Sequence, residues 1–339
     1  MRIPLEIVGG GLAGLALGGA LRRAGVPVTL YEAGAYPRHR VCGEFITGLS
    51  PRTIGRLGLG PVLEDALRHH AVAWHRGDRL VRIQPLPSPA LGLSRHALDA
   101  RLADAFVAAG GDLRTQTRLS DPAAPPGRVF ATGRRRGVSD WLGLKLHALG
   151  LTTACDLELH LGDDAYVGLS AVEGGRVNVC GLFRRRKLES GRDAAVLLAY
   201  LRAAGLAGLA GRLERAELDP DSFCAVAAVG FDRHVPDLGR VCLGDACAMI
   251  PPFTGNGMAM AFQSAEAAYG PLIEYAAGEA TWSQAAAAIH RALRRRFRLR
   301  LASAGALHPH LLRRPGQRWL TALTQARLLP LTPLYSILH

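Results

Sequence analysis

The first residues of the chain alternate apolar runs with a glycine-rich turn. A β-branched run at residues 3–8 leads into glycines at residues 9–14, and residues 15–24 are rich in Ala and Leu. A second β-branched run at residues 26–31 follows. Short β-branched runs predict strands and the Ala/Leu segment predicts a helix, so the chain opens as strand–helix–strand. This order predicts a parallel sheet.

The middle of the chain has a different pattern. Short alternating runs occupy residues 142–149, 157–161, 165–171 and 176–182. Such runs predict an antiparallel sheet, which could form the wall of a substrate pocket.

Helical patterns flank these runs. They cover residues 93–110 and 193–215, and a third begins near Met258, where Pro271 is expected to end or kink it. Thr281–Gln284 has the form of a capping box that opens a further helix. The remaining tail is expected to be helical between its prolines.

Composition and charge narrow the functional classes. Apolar residues make up 49% of the chain and charged residues 20%, as in a globular protein. The formal net charge is +13, but 39 of the 41 basic residues are arginine, because Lys145 and Lys187 are the only lysines. The basic residues are also mostly dispersed, so nucleic-acid binding is not expected. No apolar run reaches the roughly 20 residues that span a bilayer, and a cytoplasmic location is expected.

The cysteines do not predict a metal site. The six cysteines lie at positions 42, 155, 180, 224, 242 and 247, and no two form a CxxC pair. We therefore expect no metal, and we expect most of these thiols to be small buried hydrophobes.

The glycine turn has the GxGxxG spacing of a dinucleotide-binding motif. Gly9 permits the tight turn, Gly11 lets the backbone approach a pyrophosphate, and Gly14 allows the helix to pack closely on the strand. The N–H groups that follow, including those of Leu12 and Ala13, would face the anion at the positive end of the helix dipole.

An acidic residue completes this motif. Glu32 lies 18 residues beyond Gly14, at the end of the second predicted strand. A carboxylate at this place can accept hydrogen bonds from the hydroxyls of an adenosine ribose. The motif is equally compatible with NAD and FAD.

A second motif in the last third of the chain favours FAD. Gly244 and Asp245 end a predicted strand, and the segment PPFTGNGM then leads into a helix. A carboxylate at position 245 can bond a ribityl hydroxyl, and the glycine turn can stabilise negative charge on a reduced flavin. The turn residues expected to contact the cofactor are Gly255, Asn256, Gly257 and Met258.

With these motifs the sequence resembles the aromatic-hydroxylase-like flavoproteins, and within them the geranylgeranyl reductase-like branch. The resemblance covers most of residues 1–285 and includes the Cys42-Gly43-Glu44 and Ser94-Arg95 segments. It implies that Arg95 and the segment from Arg40 to Glu44 lie against the flavin.

The resemblance also implies a fold class. This is an α/β fold with a Rossmann-like FAD-binding domain, an inserted and mainly antiparallel β-sheet substrate domain, and a helical C-terminus. The expected FAD-binding domain takes residues 1–70, 92–135 and 238–285. The substrate domain takes residues 71–91 and 136–237, and the C-terminal helical segment takes residues 286–339.

Two departures from the family pattern bear on the reaction. Hydroxylases of this kind usually carry an Asp-Gly pair where this chain has Ala131-Thr132-Gly133. No second strand–GxGxxG–helix pattern occurs in the sequence, so NADH or NADPH would bind transiently or a separate reductase would supply electrons.

Three residues are candidates for chemistry beside the flavin. Cys42 could donate a proton or pack under the ring, and Glu44 could belong to a proton relay or make a structural hydrogen bond. Tyr166 could present its hydroxyl to the pocket, or be a half-buried strand residue. Lys145 and His147 share one face of a predicted strand, and we expect that face to be solvated.

The expected function is that of an FAD-dependent oxidoreductase. A monooxygenase acting on a hydrophobic, polyketide- or isoprenoid-like molecule is favoured over a reductase of carbon–carbon double bonds. A flavin-binding protein that has lost turnover is a further alternative. The arginine-rich stretch Arg291–Arg300 could contact an anionic membrane or an acidic carrier protein, or be an ordinary solvated helix.

Overall fold

Two β-sheets and a set of mostly helical connections form the molecule. The computed structural model describes residues 1–119, 124–134, 137, 139–188, 192–230, 240–326 and 328. Within these residues the strands are β1 (Leu5–Val8), β2 (Val28–Tyr31), β3 (Phe45–Ile46), β4 (Leu67–Arg76), β5 (Arg79–Gly92), β6 (Asp112–Arg114), β7 (Arg128–Phe130), β8 (Trp141–Leu149), β9 (Leu157–Gly162), β10 (Ala165–Val172), β11 (Arg176–Arg184), β12 (Glu217–Val226) and β13 (Val241–Cys242).

The helices follow the same chain order. They are α1 (Leu12–Arg23), α2 (Pro51–Leu57), α3 (Gly60–Leu63), α4 (Arg95–Ala108), α5 (Ala194–Ala203), α6 (Ala207–Glu214), α7 (Gly257–Ala277), α8 (Trp282–Leu312) and α9 (Arg314–Gln325). Short 3₁₀ turns cover Gly244–Ala246 and Pro252–Thr254.

Sheet A has five strands in the order β13-β7-β1-β2-β6, and all its pairs are parallel. Helix α1 packs against this sheet between α4 and α7, and ten of its twelve residues are buried. This burial explains why the helix consists almost entirely of Ala, Leu and Gly, since larger or polar side chains would not fit between three neighbours.

Sheet B has eight strands in the order β12-β8-β11-β10-β9-β4-β5-β3. Its pairs are antiparallel except for β4 with β9, which is parallel. Helices α5 and α6 cover one face, where the inward residues of β8, β10 and β11 form a second apolar core. The predicted fold class, a parallel Rossmann-like sheet with a mainly antiparallel second sheet and C-terminal helices, is confirmed.

The chain passes between the two sheets more than once. After β2 it contributes β3, β4 and β5 to sheet B, returns for β6 and β7, and leaves again for β8 to β12. Sheet B therefore includes β3 and the first residues of β4, which lie before position 71, where the substrate domain was expected to begin. The domain boundaries expected from the sequence stay a prediction.

Several predicted elements are found with shifted ends. The predicted helix over 193–215 is divided into α5 and α6 by Gly205, which has a φ of +76°. Helix α7 continues through Pro271 rather than ending there. The capping box is confirmed: the Gln284 amide donates to Thr281 Oγ1, and the Thr281 amide donates to Gln284 Oε1.

The C-terminal segment is helical up to α9. Pro309 lies inside α8, and Pro315 lies in the first turn of α9, a position that a proline tolerates well. The predicted breaks at Pro330 and Pro333 fall outside the described residues. No helix in the described part of the chain is long and apolar enough to cross a membrane.

Candidate cofactor site

The glycine turn after β1 leaves an open space at one glycine only. A Cβ on Gly9 would lie 2.3 Å from the Ala131 carbonyl oxygen, and one on Gly14 would lie 2.1 Å from that of Gly9. A Cβ on Gly11 would meet no atom within 4 Å. Gly9 and Gly14 are therefore required by packing, whereas Gly11 borders space that a ligand could fill.

Helix α1 begins directly at this space. Gly11 is its N-cap, no side chain caps the helix, and its first turn has no acidic residue. The N–H groups of the first turn, including those of Leu12 and Ala13, lack partners within the helix, so they can bind an anion at the positive end of the helix dipole.

Glu32 holds the turn from the other side. Its carboxylate accepts hydrogen bonds from the amides of Gly10 and Gly34, both at 2.8 Å, and from Arg38 at 2.6 Å. Burial alone would raise the pKa of Glu32, but these bonds and the charge of Arg38 outweigh it and lower the pKa. The carboxylate is ionised and able to accept further bonds from a sugar hydroxyl.

The second motif meets the first at α1. Gly244 has a φ of +58°, and a Cβ on it would lie 3.4 Å from the Cβ of Ala13. Its amide donates to Ser264 Oγ at 2.9 Å. Asp245 follows immediately, and burial raises its pKa while the charges of Arg95 and Arg134 oppose the rise. The predicted convergence of the two motifs is thus observed.

A second uncapped helix begins on the same side. Helix α7 starts at Gly257 after Asn256, with no side-chain cap and no acidic residue in its first turn. A Cβ on Gly257 would meet no atom within 4 Å, whereas one on Gly255 would lie 2.2 Å from the Phe45 ring. Met258 is buried at the start of this helix. The turn therefore offers backbone N–H groups beside open space, as α1 does.

Arg95 connects these elements. It begins α4, and its guanidinium bonds both oxygens of Asp99 at 2.8 Å. Arg40 bonds the same carboxylate at 3.0 Å and comes within 3.9 Å of Glu32. Burial works against the charge on Arg95, but Asp99 outweighs it and raises the pKa of Arg95. Arg95 is therefore a fixed cation whose charge also acts on Asp245.

The Cys42–Glu44 loop rests on sheet B. Ser170 Oγ donates to the Gly43 carbonyl at 2.6 Å, and Asn178 Nδ2 donates to the Cys42 carbonyl at 3.0 Å. Burial raises the pKa of the Cys42 thiol, although Arg95 beside it opposes the rise. Cys42 is consequently a neutral thiol next to a guanidinium.

Glu44 lies at the centre of a buried charged network. Its carboxylate accepts the Arg95 amide at 3.0 Å, pairs with His147 Nε2 at 2.6 Å and lies 3.6 Å from Lys145 Nζ. Lys145 Nζ also lies 3.0 Å from His39 Nδ1. The expectation of a solvated face for Lys145 and His147 is wrong: these side chains are 0% and 2% exposed, because the Glu44 loop covers this part of sheet B.

Tyr166 lies at the other end of the same sheet face. Its ring contacts Phe253 edge-on, with centroids 6.3 Å apart, and His308 from α8 lies 5.9 Å away. Burial raises the pKa of Tyr166 well above its ordinary value, so the hydroxyl stays protonated. The surrounding apolar side chains are Leu159, Leu161, Leu182, Val229, Leu311 and Leu312.

The predicted site residues therefore form two groups. The cofactor candidates and Cys42 with Glu44 come together between the two glycine turns and sheet B. Tyr166 is separate from them, because Ser170 and Asn178, not Tyr166, contact the Cys42–Glu44 loop. The roles assigned to individual residues stay predictions.

Sequence reasoning missed one polar cluster on the opposite face of sheet B. His75, Glu158 and His160 bring potential metal-ligand atoms within 4.8 Å of one another, although no metal site was expected. Arg212 bonds both oxygens of Glu158, at 2.9 and 3.1 Å, and the two histidine rings stack at 4.1 Å. The guanidinium neutralises the carboxylate, and parallel stacked rings do not direct their lone pairs at one point. The cluster is therefore a buried polar network. Its signal in the sequence is the Glu158-Leu159-His160 spacing, which places two polar side chains on one face of β9.

The described residues fit a dinucleotide with an isoalloxazine group. Two uncapped helix N-termini face open space at Gly11 and Gly257. The same region carries two carboxylates, Glu32 and Asp245. The first N-terminus can hold a pyrophosphate, and the second can hold the negative charge of a flavin ring.

Comparison with known proteins agrees with this geometry. Residues 7–44 match the family model described as NAD(P)-binding Rossmann-like domain. Menaquinone reductase of Mycolicibacterium smegmatis is 30% identical over 128 residues, which are 35% of this chain and 30% of that protein. The chain thus matches less than a third of the length of this curated relative.

Solved structures are similar over nearly the whole chain. The p-nitrophenol 4-monooxygenase PnpA from Pseudomonas putida superposes with a TM-score of 0.76 at 16% identity, covering 99% of this chain and 96% of that one. PqsL from Pseudomonas aeruginosa, a probable FAD-dependent monooxygenase, superposes with a TM-score of 0.71 at 17% identity, covering 93% and 98%.

Proposed function

Because this chain has the fold of the FAD-dependent oxidoreductase superfamily, we propose that it binds FAD and oxidises or reduces a hydrophobic small molecule. The observation that carries this proposal is the close approach of the two glycine motifs, since a Cβ on Gly244 would lie 3.4 Å from the Cβ of Ala13. Residues that are far apart in sequence thereby direct two helix N-termini and two carboxylates at one ligand.

Each part of the site has a role toward FAD. The first turn of α1 would hold the pyrophosphate, and Glu32 would bond the adenosine ribose. Asp245 would bond the ribityl chain, and the amides before α7 would stabilise negative charge on the flavin ring. When bound, FAD supplies either hydride transfer or oxygen activation. The chain supplies position, exclusion of water and the fixed charge of Arg95.

The substrate is hydrophobic in this proposal. The face of sheet B around Tyr166 carries leucines and aromatic rings from β9, β10, β11 and α8, packed as one buried cluster. In this proposal the substrate binds beside this apolar wall, where burial favours an apolar molecule and few polar groups orient it. The neutral hydroxyl of Tyr166 and the ring of His308 are polar groups in this wall.

Monooxygenation of a polyketide- or isoprenoid-like molecule is the leading reaction. Two structural relatives carry the word monooxygenase in their names, which supports this choice. The alternative is reduction of a carbon–carbon double bond, as in the geranylgeranyl reductase-like branch. The likeness to a menaquinone reductase supports a reduction. Electrons come from NADH, NADPH or a separate reductase. A protein that binds FAD without turnover is the remaining alternative.

The test begins with the absorption spectrum of the purified protein and its anaerobic reduction by NADPH or NADH. We expect a flavin spectrum that bleaches on reduction. A colourless protein that takes up no FAD would overturn the proposal.

Labelled oxygen then separates the reactions. With ¹⁸O₂ and a panel of aromatic polyketides and isoprenoids, a monooxygenase incorporates label into product and consumes oxygen. Anaerobic saturation of a double bond would instead assign the reductase. Tight FAD binding with no reaction of the reduced protein would favour the binding protein.

A further inference from the structure

A groove on the surface between α2 and α8 is lined by arginines from both helices. It has a volume of about 780 Å³. Arg52 and Arg56 line one wall from α2, and Arg291 and Arg295 line the other from α8. We call these four residues and the space between them the basic groove.

The arginines of the basic groove stand in like-charged pairs. Arg52 and Arg56 are four residues apart on α2, and Arg291 and Arg295 are four residues apart on α8. Side chains at this spacing lie one helical turn apart on the same face, and a like-charged pair there destabilises the helix by roughly 0.2–0.5 kcal/mol. Each wall of the groove thus carries a repulsion that a bound anion would relieve.

The acidic residue at the bottom of the groove does not neutralise these charges. Glu266 is 6% exposed, accepts a hydrogen bond from Thr53 at 2.9 Å and pairs with Arg296 at 2.8 Å. Arg52 is 76% exposed and only reaches within 3.9 Å of Glu266. In the described part of the chain, Arg56, Arg291 and Arg295 form no salt bridge. The groove therefore has a net positive charge.

The groove is separate from the cofactor site. Glu266 lies nine residues after Gly257 in α7, which at the rise of an α-helix is about 14 Å along the helix axis. The glycine turns that face FAD in the proposed function do not line it.

We propose that the basic groove binds a small ligand that carries a diphosphate or two adjacent phosphates. Guanidinium groups bond phosphate oxygens in a bidentate manner, and two facing pairs match two phosphates better than one carboxylate. The concave shape between two helices favours a small ligand over a membrane or a flat protein surface. The positive surface continues along α8 through Arg294 and Arg298, which leaves room for a group attached to the phosphates.

Inorganic pyrophosphate is the probe for this site. Titration by calorimetry uses protein saturated with FAD, so that pyrophosphate cannot take the diphosphate site of the cofactor. We expect binding at low salt that weakens as salt is raised, and weaker binding of inorganic phosphate. Absence of pyrophosphate binding at low salt would overturn the proposal.

Variants locate the site. Arg52→Gln/Arg295→Gln removes one arginine from each wall, and Arg76→Gln/Arg79→Gln removes two exposed arginines from the β4–β5 hairpin as the matched control. The groove variant should bind pyrophosphate at least about tenfold more weakly, since loss of one charged hydrogen bond costs about 1.5 kcal/mol or more. Equal weakening in both variants would show a general charge effect and overturn the site.

Stability and vesicle binding complete the test. Because the arginines repel one another, the groove variant should unfold at the same or a higher temperature than the wild type. A clear loss of stability would assign the arginines a structural role and contradict the proposal. Sedimentation with phosphatidylglycerol vesicles in the absence of pyrophosphate binding would assign the surface to a membrane instead. We expect the FAD content of the groove variant to equal that of the wild type, since the glycine turns do not line the groove. A protein that took up no FAD would contradict the proposed function, whereas the comparison of the groove variant with the control variant would still locate the pyrophosphate.

Discussion

Glu44 is a buried carboxylate whose partners come from two distant parts of the chain. The Arg95 amide belongs to the start of α4, while Lys145 and His147 belong to β8. Glu44 itself has a φ of +56°, a conformation that residues other than glycine rarely adopt. Both oxygens are engaged by these neighbours. This geometry favours a positioning role for Glu44 over direct contact with a substrate.

Removing the charge of Glu44 should strongly destabilise the protein. Glu44→Gln leaves the Lys145 ammonium buried without its counter-ion, and breaking one side of a buried pair costs about 3–5 kcal/mol. Urea unfolding of the two proteins measures the difference in free energy.

The double variant Glu44→Gln/Lys145→Met provides the control. It removes both charges, so it should be clearly less destabilised than the sum of its single variants. Additive losses would contradict the coupling between Glu44 and Lys145.

A second buried network joins strands of sheet B to helix α6. Glu158 on β9 accepts bonds from His160 on the same strand and from Arg212 on α6, and His75 on β4 stacks on His160. Burial would raise the pKa of Glu158, but the bonds from His160 and Arg212 lower it to about 2. Burial and the neighbouring His160 lower the pKa of His75 to about 4. The folded state therefore keeps Glu158 ionised and His75 neutral.

This arrangement predicts a loss of stability in acid. Between pH 6.5 and 4 the unfolded chain takes up a proton at His75 that the folded chain does not, so the folded state loses stability as the pH falls. His75→Phe removes this titration while keeping an aromatic ring against His160. The variant should lose less unfolding free energy than the wild type between pH 7 and 5, by about 1–2 kcal/mol.

Urea unfolding of both proteins at pH 7 and pH 5 measures the effect. His70→Phe is the control, because the His70 side chain is exposed. His290 is unsuitable as a control because it bonds the Arg240 carbonyl. An equal loss in the His75 variant and the wild type would contradict the assignment.

At the scale of the whole molecule, much of the fold could be predicted from the sequence. The strand–turn–helix at the N-terminus, the runs of β8 to β11 and the start of α8 all depend on local patterns, and each occurs within a few residues of its expected position. The contact of the glycine turns also followed, because both motifs bind parts of one expected ligand.

The buried networks could not be predicted, since they depend on pairing between distant strands. An alternating strand such as β8 shows which residues share a face but not what covers that face. The pattern therefore predicts a solvated face for Lys145 and His147, whereas the Glu44 loop buries them. His75 and His160 meet only because β4 pairs with β9 in parallel.

The central claim is that FAD occupies the space at Gly11. Gly11→Ala adds a methyl group that meets no protein atom, so the free energy of unfolding without FAD should change by less than about 0.5 kcal/mol. The same methyl group blocks the approach of a pyrophosphate to the backbone. Gly19→Ala, in the middle of α1, is the control, because its Cβ would contact only the flexible end of Arg23 at 3.4 Å.

The decisive measurement is a titration of the three FAD-free proteins with FAD, followed by flavin fluorescence. We predict that the wild type and Gly19→Ala bind FAD with similar affinity and that Gly11→Ala binds at least about tenfold more weakly, a loss of about 1.4 kcal/mol or more. FAD binding by Gly11→Ala as tight as that of the wild type would contradict the account.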